Sequence, residues 1–170
     1  MQLSQYIREV QDFPKQGIVF KDITPLLANA EAVKECLELL VKNIKGRKID
    51  KVIGVESRGF FFATLLAHEF NAGFVPVRKA NKLPYSTITA TYELEYGTDT
   101  LEIHTDAIKK GEKVLIHDDV LATGGTAKAV CELVESLGGE IVQCNFIMEL
   151  SFLNGRNKIS GYDVYSPLVY

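Results

Sequence analysis

The segment from residue 113 to residue 137 constrains the fold more than any other part of the chain. An apolar run at 114–116, followed by His117, leads into two adjacent acids, Asp118 and Asp119, and then into the turn Thr123-Gly-Gly-Thr126. Apolar residues at three- and four-residue steps follow, and this spacing predicts an amphipathic helix. A buried strand that passes through a polar turn into a helix is the building unit of parallel α/β sheets.

The same alternation recurs elsewhere in the 170 residues, a length that suits one domain. Short apolar runs predict strands at 51–57, 73–79 and 141–150 as well as at 113–119, and longer apolar or amphipathic stretches predict helices at 31–45 and 59–70. Ligands of open parallel sheets bind beyond the carboxyl ends of the strands. The polar strand ends at 55–57, 77–79 and 117–119 are therefore the first candidates for a functional site.

The segment 82–104 has a different character. Its alternating polarity and its Thr and Tyr residues predict strands, although it has few large aliphatic side chains. Two interpretations stay open on this pattern: a flexible β-ribbon that covers a site, or an ordinary hairpin at the edge of the sheet.

The turn after the acid pair has the properties of a phosphate site. Glycines let a phosphate approach the backbone amides closely, and a helix N-terminus supplies free N–H groups and a favourable dipole. The acids would repel a phosphate but can accept hydrogen bonds from sugar hydroxyls. An acidic helix cap would need one acid and would not explain the whole motif. The segment therefore predicts a cradle for a ribose 5-phosphate, with the hydroxyls at Asp118 and Asp119 and the phosphate at Ala122, Thr123, Gly124, Gly125 and Thr126.

Composition excludes several classes of function. The 19 Lys and Arg are outnumbered by 22 Asp and Glu, so the chain lacks the basic surface on which nucleic-acid binding depends. No apolar run approaches the ~20 residues of a membrane span, and the N-terminus does not have the pattern of a secretion signal. Cys36, Cys131 and Cys144 lie far apart in apolar segments, which predicts reduced core thiols in a cytoplasmic protein.

The segment 114–126 resembles the phosphoribosyl pyrophosphate (PRPP) binding motif of the type I phosphoribosyltransferases. Four further motifs, at 12–27, 56–60, 78–84 and 94–97, are similar to those of the adenine phosphoribosyltransferase family and extend the resemblance over nearly the whole chain. The resemblance implies a five-stranded, mainly parallel sheet flanked by helices. It also implies one domain over residues 1–170, with a flexible β-hood at roughly 83–104 and an N-terminal segment that binds the base.

The resemblance further implies a reaction in which adenine and PRPP give AMP and pyrophosphate, with Mg2+ as the cofactor, and a homodimeric enzyme. The residues that would bind pyrophosphate are Glu56, Ser57, Arg58, Arg78, Lys79 and Lys82. In this family the loop at 56–58 often contains a non-proline cis peptide, and Lys82 would reach the neighbouring subunit's site.

Base binding and catalysis are assigned by the same resemblance. Phe20 would stack on the purine, Val120 would lie on its opposite face, and backbone groups near Val19 and Lys21 would bind the ring edge. The expected catalytic residues are Glu95, Arg58, Asp118 and Asp119. Glu95 would handle the proton on purine N7, and the two aspartates would orient the ribose and hold Mg2+ through water.

Two residues depart from the family pattern. His117 stands where relatives commonly carry an aliphatic residue, and it would be either a core histidine or a residue that tunes the acid pair. Asn81 replaces a frequent Gly, which a turn tolerates because Asn adopts left-handed geometry more easily than most residues. Two rival functions stay open: a transferase for a 6-oxopurine or orotate, and a PRPP-binding regulator without catalysis.

Overall fold

The computed structural model describes residues 2–93 and 97–170. Over these residues the chain forms four α-helices: α1 Thr24–Leu27, α2 Ala30–Ile44, α3 Gly59–Glu69 and α4 Gly125–Ser136. The strands are β1 Arg8–Gln11, β2 Val19–Asp22, β3 Lys51–Val55, β4 Gly73–Lys79, β5 Thr87–Glu93, β6 Thr98–His104, β7 Lys113–Leu121, β8 Glu140–Glu149, β9 Val164–Tyr165 and β10 Leu168–Val169. Short 3-10 helices cover Leu3–Tyr6, Ser151–Leu153 and Gly155–Ile159.

A parallel sheet forms the centre of the molecule, in the strand order β10-β8-β7-β3-β4. Its outermost position is shared by two short strands, because β9 pairs with Cys144 and Asn145 of β8 while β10 pairs with Met148 and Glu149. Pro167 lies between β9 and β10 and has no backbone N–H to donate to a ladder. The predicted five-stranded, mainly parallel sheet is therefore confirmed, with its fifth strand in two pieces.

The segment 82–104 forms an antiparallel hairpin. Strands β5 and β6 pair along their whole length, from Thr87 opposite His104 to Glu93 opposite Thr98. The hairpin joins the main sheet where Arg78 pairs with Glu102 and Lys79 pairs with Leu101. The edge-hairpin interpretation thus describes its pairing, and the expected flexibility of a hood stays a prediction.

The central strands are buried on both faces, which explains their continuous apolar runs. Along β7, Val114 and Ile116 pack on the side of α4 and the hairpin, while Leu115 packs on the side of α2 and α3. Helix α2 begins at the cap Asn29, whose side chain accepts a hydrogen bond from the Ala32 N–H at 2.9 Å. Among the residues that the structure describes, no helix has the length and apolar character to cross a bilayer.

The spacing of Val33, Leu37, Leu40, Val41 and Ile44 in the sequence predicts the inward face of α2. In the structure Leu40 and Ile44 are buried, whereas Val33, Leu37 and Val41 are only half-buried. The fully buried positions on the other turns are the smaller residues Ala32 and Cys36. The larger aliphatic side chains therefore border the buried stripe.

His117 lies within the sheet and is fully buried. Its Nδ1 lies 2.7 Å from Asn145 Oδ1, and since a carbonyl oxygen only accepts, Nδ1 carries the proton. Within the described residues Nε2 has no hydrogen-bond partner. Burial lowers the pKa of His117 to about 4. His117 is therefore a neutral core histidine bonded to Asn145, rather than a partner of the acids that follow it.

This lowered pKa predicts a loss of stability in acid. Between about pH 6.5 and pH 4 the unfolded chain binds a proton at His117 that the folded chain does not, so the free energy of unfolding falls as the pH falls. From pH 7 to pH 5 the contribution is about 2 kcal/mol. In the double variant His117→Leu, Asn145→Leu this part of the fall should vanish, since all other titrating groups are shared. Urea denaturation at pH 7 and at pH 5 measures the free energy of unfolding of the wild-type protein and of the double variant. An equal decrease in the two proteins would contradict the lowered pKa of His117.

Candidate active site

A cavity of about 370 Å³ lies at the carboxyl ends of the parallel strands. Strand β3 pairs in parallel with both β4 and β7, so that the ends of all three meet at one edge of the sheet. The walls come from residues 55–58 after β3, Lys79 at the end of β4 and residues 118–124 around the end of β7. The structure thus brings together the three polar strand ends that the sequence singled out.

The predicted phosphate turn forms one wall of this cavity. Gly124 has φ +79° and is the N-cap of the twelve-residue helix α4, so the backbone turns into the helix through a left-handed conformation that suits glycine. Ala122, Thr123, Gly124 and Thr126 line the cavity. No acidic residue occupies the first turn of α4. The free N–H groups and dipole of the helix start are therefore available to an anion.

The acid pair lies beside this turn, with Asp119 buried and Asp118 half-buried. Asp118 Oδ1 accepts the backbone N–H of Asp119 at 2.9 Å, and Asp119 Oδ2 lies 2.9 Å from Arg58 Nε in an ion pair. Burial, together with the charge of Asp119, raises the pKa of Asp118 well above its usual range. Burial also raises the pKa of Asp119, although Arg58 opposes the shift. The two carboxyls are hydrogen-bond acceptors whose negative charges lie next to each other, and Arg58 offsets part of that charge.

The acid pair fits a magnesium ion that keeps most of its ligands from water and substrate. Mg2+ prefers oxygen ligands and is commonly held by one or two carboxylates plus substrate phosphates. In the part of the chain that the structure describes, no three His, Cys, Asp or Glu side chains converge as a metal cluster. Asp118 and Asp119 supply two adjacent carboxylates, one half-buried and one buried, whose raised pKa values a bound cation would lower.

Glu56 contacts the cationic residues at and after the end of β4. It pairs with Arg78 Nε at 3.3 Å and with Lys82 Nζ at 2.7 Å, and it accepts the backbone N–H of Lys79 at 2.9 Å. Burial alone would raise the pKa of Glu56, but hydrogen bonds from Lys82, the Lys79 backbone and Arg78 hold it at about 2. The peptide between Glu56 and Ser57 is cis, as the family pattern implies.

The predicted pyrophosphate residues therefore fall into two groups. Glu56, Ser57, Arg58 and Lys79 line the cavity, whereas Arg78 and Lys82 reach Glu56 without lining it. Arg58 pairs with the acid pair instead of joining the cations on Glu56. Lys82 contacts Glu56 of its own chain, so its expected reach into a neighbouring subunit stays a prediction.

The N-terminal segment forms a two-stranded sheet of β1 and β2. The Phe20 ring packs edge-on against Phe13 with the ring centres 5.1 Å apart, and Arg58 Cζ lies 4.8 Å from the centre of the Phe20 ring. Phe20 is thus connected to the site through Arg58. Val19 and Lys21 line a separate cavity of about 540 Å³ near Tyr170, and Lys21 Nζ lies 3.9 Å from the Tyr170 ring centre.

The expected base-binding residues are therefore only partly brought together. Val120 lines the main cavity, whereas Val19, Phe20 and Lys21 do not. Strand β2 pairs with β1 along one edge, and within the described chain no strand covers its other edge. Such an edge leaves backbone N–H and C=O groups free to bind a ligand. Glu95, the expected proton-transfer residue, lies outside the described residues.

Two site residues were not found from the sequence. Tyr92 and Asp99 come from the hairpin, face each other across β5 and β6, and line the main cavity. The Tyr92 hydroxyl accepts a hydrogen bond from Thr126 Oγ1 at 3.2 Å and donates one to Asp99 Oδ2 at 3.4 Å. Asp99 also pairs with Lys79 Nζ at 3.2 Å. Thr and Tyr patterning indicated the strands, but only the pairing register shows which residues meet the phosphate turn.

The comparisons with known proteins agree with this geometry. Residues 21–163 match the family described as phosphoribosyl transferase domain. An adenine phosphoribosyltransferase of Flavobacterium johnsoniae is 71% identical over 170 residues, which is 100% of both chains. The chain belongs to the adenine phosphoribosyltransferase family.

Solved structures of this adenine phosphoribosyltransferase family share the fold over nearly the full length. The crystal structure from Rhodothermus marinus has a TM-score of 0.95 and 53% identity and covers 99% of this chain and 96% of that one. The enzyme from Saccharomyces cerevisiae, solved in complex with an imino-altritol bisphosphate and adenine, has a TM-score of 0.92 and 43% identity, with coverage of 97% and 96%. The adenine phosphoribosyltransferase fold thus extends over the hairpin as well as the central sheet.

The Tyr92 hydrogen bonds predict a role in sugar-phosphate binding. Tyr92→Phe removes the hydroxyl that joins Thr126 to the hairpin, at a cost of about 0.5–1.5 kcal/mol. We expect ribose 5-phosphate to bind roughly 2- to 12-fold more weakly, measured by calorimetry. Tyr85→Phe is the matched control, because Tyr85 is 63% exposed and lies outside the cavity lining. Equal affinities in the two variants would show that the Tyr92 hydroxyl does not contribute to binding of ribose 5-phosphate.

Proposed function

We propose that this chain transfers the 5-phosphoribosyl group of PRPP to adenine, giving AMP and pyrophosphate in purine salvage. The observation that carries the proposal is the layout of one cavity. A helix N-terminus preceded by a glycine turn lies on one wall, the acid pair lies beside it, and Arg58 and Lys79 contribute positive charge to the same lining. This layout matches PRPP, which carries a 5-phosphate at one end, a pyrophosphate at the other and the ribose between them.

The phosphate turn and the acid pair hold the sugar end of PRPP. Backbone N–H groups of residues 122–126 and the hydroxyls of Thr123 and Thr126 bind the 5-phosphate. Asp118 and Asp119 accept hydrogen bonds from the ribose hydroxyls, and they are the residues that would hold Mg2+, which would supply positive charge to stabilise the pyrophosphate leaving group. The ribose is thereby fixed with its C1 toward Ser57 and Arg58.

The cations stabilise charge that develops on the leaving group. The bond from C1 to pyrophosphate breaks, its electron pair leaves on the pyrophosphate oxygen, and a ring nitrogen of adenine forms the new bond to C1. Arg58, Lys79 and Lys82 supply the positive charge for this step, while Ser57 adds a hydroxyl donor. Glu95 takes the proton that the purine ring loses. Phe20 and Val120 hold the ring between them.

The choice of base tests the proposal. Adenine presents an N–H donor at position 6 and an acceptor at N1, whereas hypoxanthine and guanine present the reverse. Backbone groups of β2 have fixed polarity, so a wrong base leaves two buried polar groups unpaired at about 1–3 kcal/mol each. We expect AMP from adenine, PRPP and Mg2+, and rates at least roughly a hundredfold lower with hypoxanthine, guanine or orotate.

The assay has an inactive control in Asp118→Asn, Asp119→Asn, which keeps the volume of the acid pair but removes its charge. The wild-type protein with chelator in place of Mg2+ should be equally inactive. Comparable turnover of hypoxanthine and adenine would contradict the assignment of adenine as the specific substrate. It would leave the proposal of phosphoribosyl transfer intact. Tight PRPP binding without turnover of any base would favour a regulator.

The outer face of α3 supports the expected homodimer. This helix is rich in apolar residues on its exposed as well as its buried side, a pattern found where a helix is covered on both faces. Phe62 and Leu66 are buried in the core, yet Phe61 and Leu65 are 48% and 37% exposed, and Phe74 of the neighbouring β4 is 36% exposed. Such a patch marks an interaction surface. A second copy of the chain would cover it.

Light scattering of two variants tests this surface. The wild-type protein should have twice the 18.9 kDa mass of the chain, and Phe61→Ser with Leu65→Ser should have the mass of one chain. Phe152→Ser is the control, because Phe152 is 69% exposed but lies outside α3. A dimer that survives the α3 changes would place the interface elsewhere.

The expected location is the cytoplasm, and the three cysteines support this part of the proposal. Cys36, Cys131 and Cys144 are all buried as free thiols, and burial raises the pKa of Cys36 to about 12. Thiols that persist beside each other, such as Cys131 and Cys144 with their sulfurs 3.6 Å apart, suit a reducing compartment.

A further inference from the structure

We propose that Gly155, which lies outside the cavity and was not among the expected site residues, is a positioning residue for the 5-phosphate turn at 122–126. This inference rests on the proposed function, because it takes that turn as the site of the 5-phosphate. Gly155 acts through the backbone of the turn and touches no substrate. Its absence of a side chain lets the start of the Gly155–Ile159 helix support the turn from behind.

The contact between the two segments is one of backbone against backbone. A Cβ atom placed on Gly155 would lie 2.3 Å from the Ala122 carbonyl oxygen and 3.1 Å from the Gly124 nitrogen. A Cβ atom on Gly124 would lie 2.4 Å from the Gly155 carbonyl oxygen. Each of the two positions is therefore restricted to glycine by the backbone of the other segment. Because the obstructing atoms belong to the backbone, no side-chain rotation can relieve a substitution.

The segment that carries Gly155 is fixed on both sides. Arg156 Nε donates to both carboxylate oxygens of Glu149, at 2.9 and 2.8 Å, and Arg156 Nη1 donates to the Val164 carbonyl at 3.0 Å. Glu149 is buried at the end of β8, and Ile159 is buried in the core cluster that includes residues of α4. The helix cannot move away from an added methyl group without breaking these contacts, so the phosphate turn must move instead.

Displacement of the turn weakens the binding of one part of the substrate more than the binding of the other parts. The 5-phosphate depends on several backbone N–H groups aimed at one point, and hydrogen bonds to charged groups weaken steeply as their geometry is lost. Pyrophosphate depends on Arg58, Lys79 and Lys82, and adenine depends on β2, neither of which contacts Gly155. The predicted signature is a selective loss of affinity for the 5-phosphate.

The test is Gly155→Ala, with Gly161→Ala as the matched control. Neither glycine has a left-handed backbone, so alanine is conformationally allowed at both, and a Cβ on Gly161 meets nothing within 4 Å. Calorimetry with ribose 5-phosphate and with pyrophosphate is the primary readout. We expect Gly155→Ala to bind ribose 5-phosphate at least roughly tenfold more weakly and pyrophosphate within about twofold of wild type. The KM for PRPP should rise more than the KM for adenine.

Other outcomes would overturn the inference. A purely structural role would lower the melting temperature and kcat while leaving the ribose 5-phosphate affinity unchanged, or would weaken both ligands equally. If Gly155→Ala does not fold, Arg156→Lys is the second test. This variant weakens the contacts of Arg156 with Glu149 and Val164 but adds no atom next to the turn. A selective two- to fivefold loss of ribose 5-phosphate affinity supports the role, and an unchanged affinity refutes it. Absence of AMP synthesis by the wild type would refute the proposed function alone, since the binding readout stands apart from turnover.

Discussion

The proposed contacts with PRPP depend on the parallel pairing of β3 with the two strands beside it. The pairs Val55–Val77 and Gly54–His117 set the register, and from there the neighbours run further than β3 does. Strand β4 continues to Lys79 and β7 continues to Leu121, whereas β3 stops at Val55. A short strand between two longer ones leaves a recess at the sheet edge. The loop at 56–58 and the phosphate turn enclose that recess, so the cavity is a consequence of strand length before any side chain is considered.

The charges around this recess explain how an acidic chain can bind an anionic substrate. Each cation expected to meet pyrophosphate already has a carboxylate partner: Arg58 has Asp119, Lys79 has Asp99, and Arg78 and Lys82 share Glu56. These pairs hold the cations in place and keep the recess close to neutral. Ligand binding is then an exchange of partners, in which phosphate oxygens replace carboxylates, rather than capture by isolated cations. Because the partners are preorganised, fewer side chains have to be immobilised when the substrate binds.

The sequence predicted local features better than contacts between distant segments. The strand–turn–helix unit at β7 and α4 could be identified because hydrophobic period, acid pair and glycines all lie within one short stretch. The approach of Tyr92 to Thr126 could not, because it depends on the β5–β6 register and on how the hairpin packs against α4. The opposite orientations of Phe20 and its neighbours follow from β2 being a strand, which the N-terminal motif alone did not indicate. The two-piece fifth strand depends on Pro167 in a stretch with little periodicity.

Glycine in this site also allows other atoms to approach where a Cβ atom would stand. This role is difficult to recognise from a sequence. Besides Gly124 and Gly155, Gly59 lies where a Cβ would be 2.9 Å from Asp118 Oδ1 and 3.0 Å from the His117 carbonyl. Helix α3 can therefore begin directly against the acid pair, just as α4 begins directly against the Gly155 helix. Two helix starts approach β7 from different sides, and both approaches are set by backbone contact. Since backbone cannot adjust by changing rotamer, the positions of the acids and of the phosphate turn are fixed relative to each other, which is the condition for holding the two ends of one ribose phosphate.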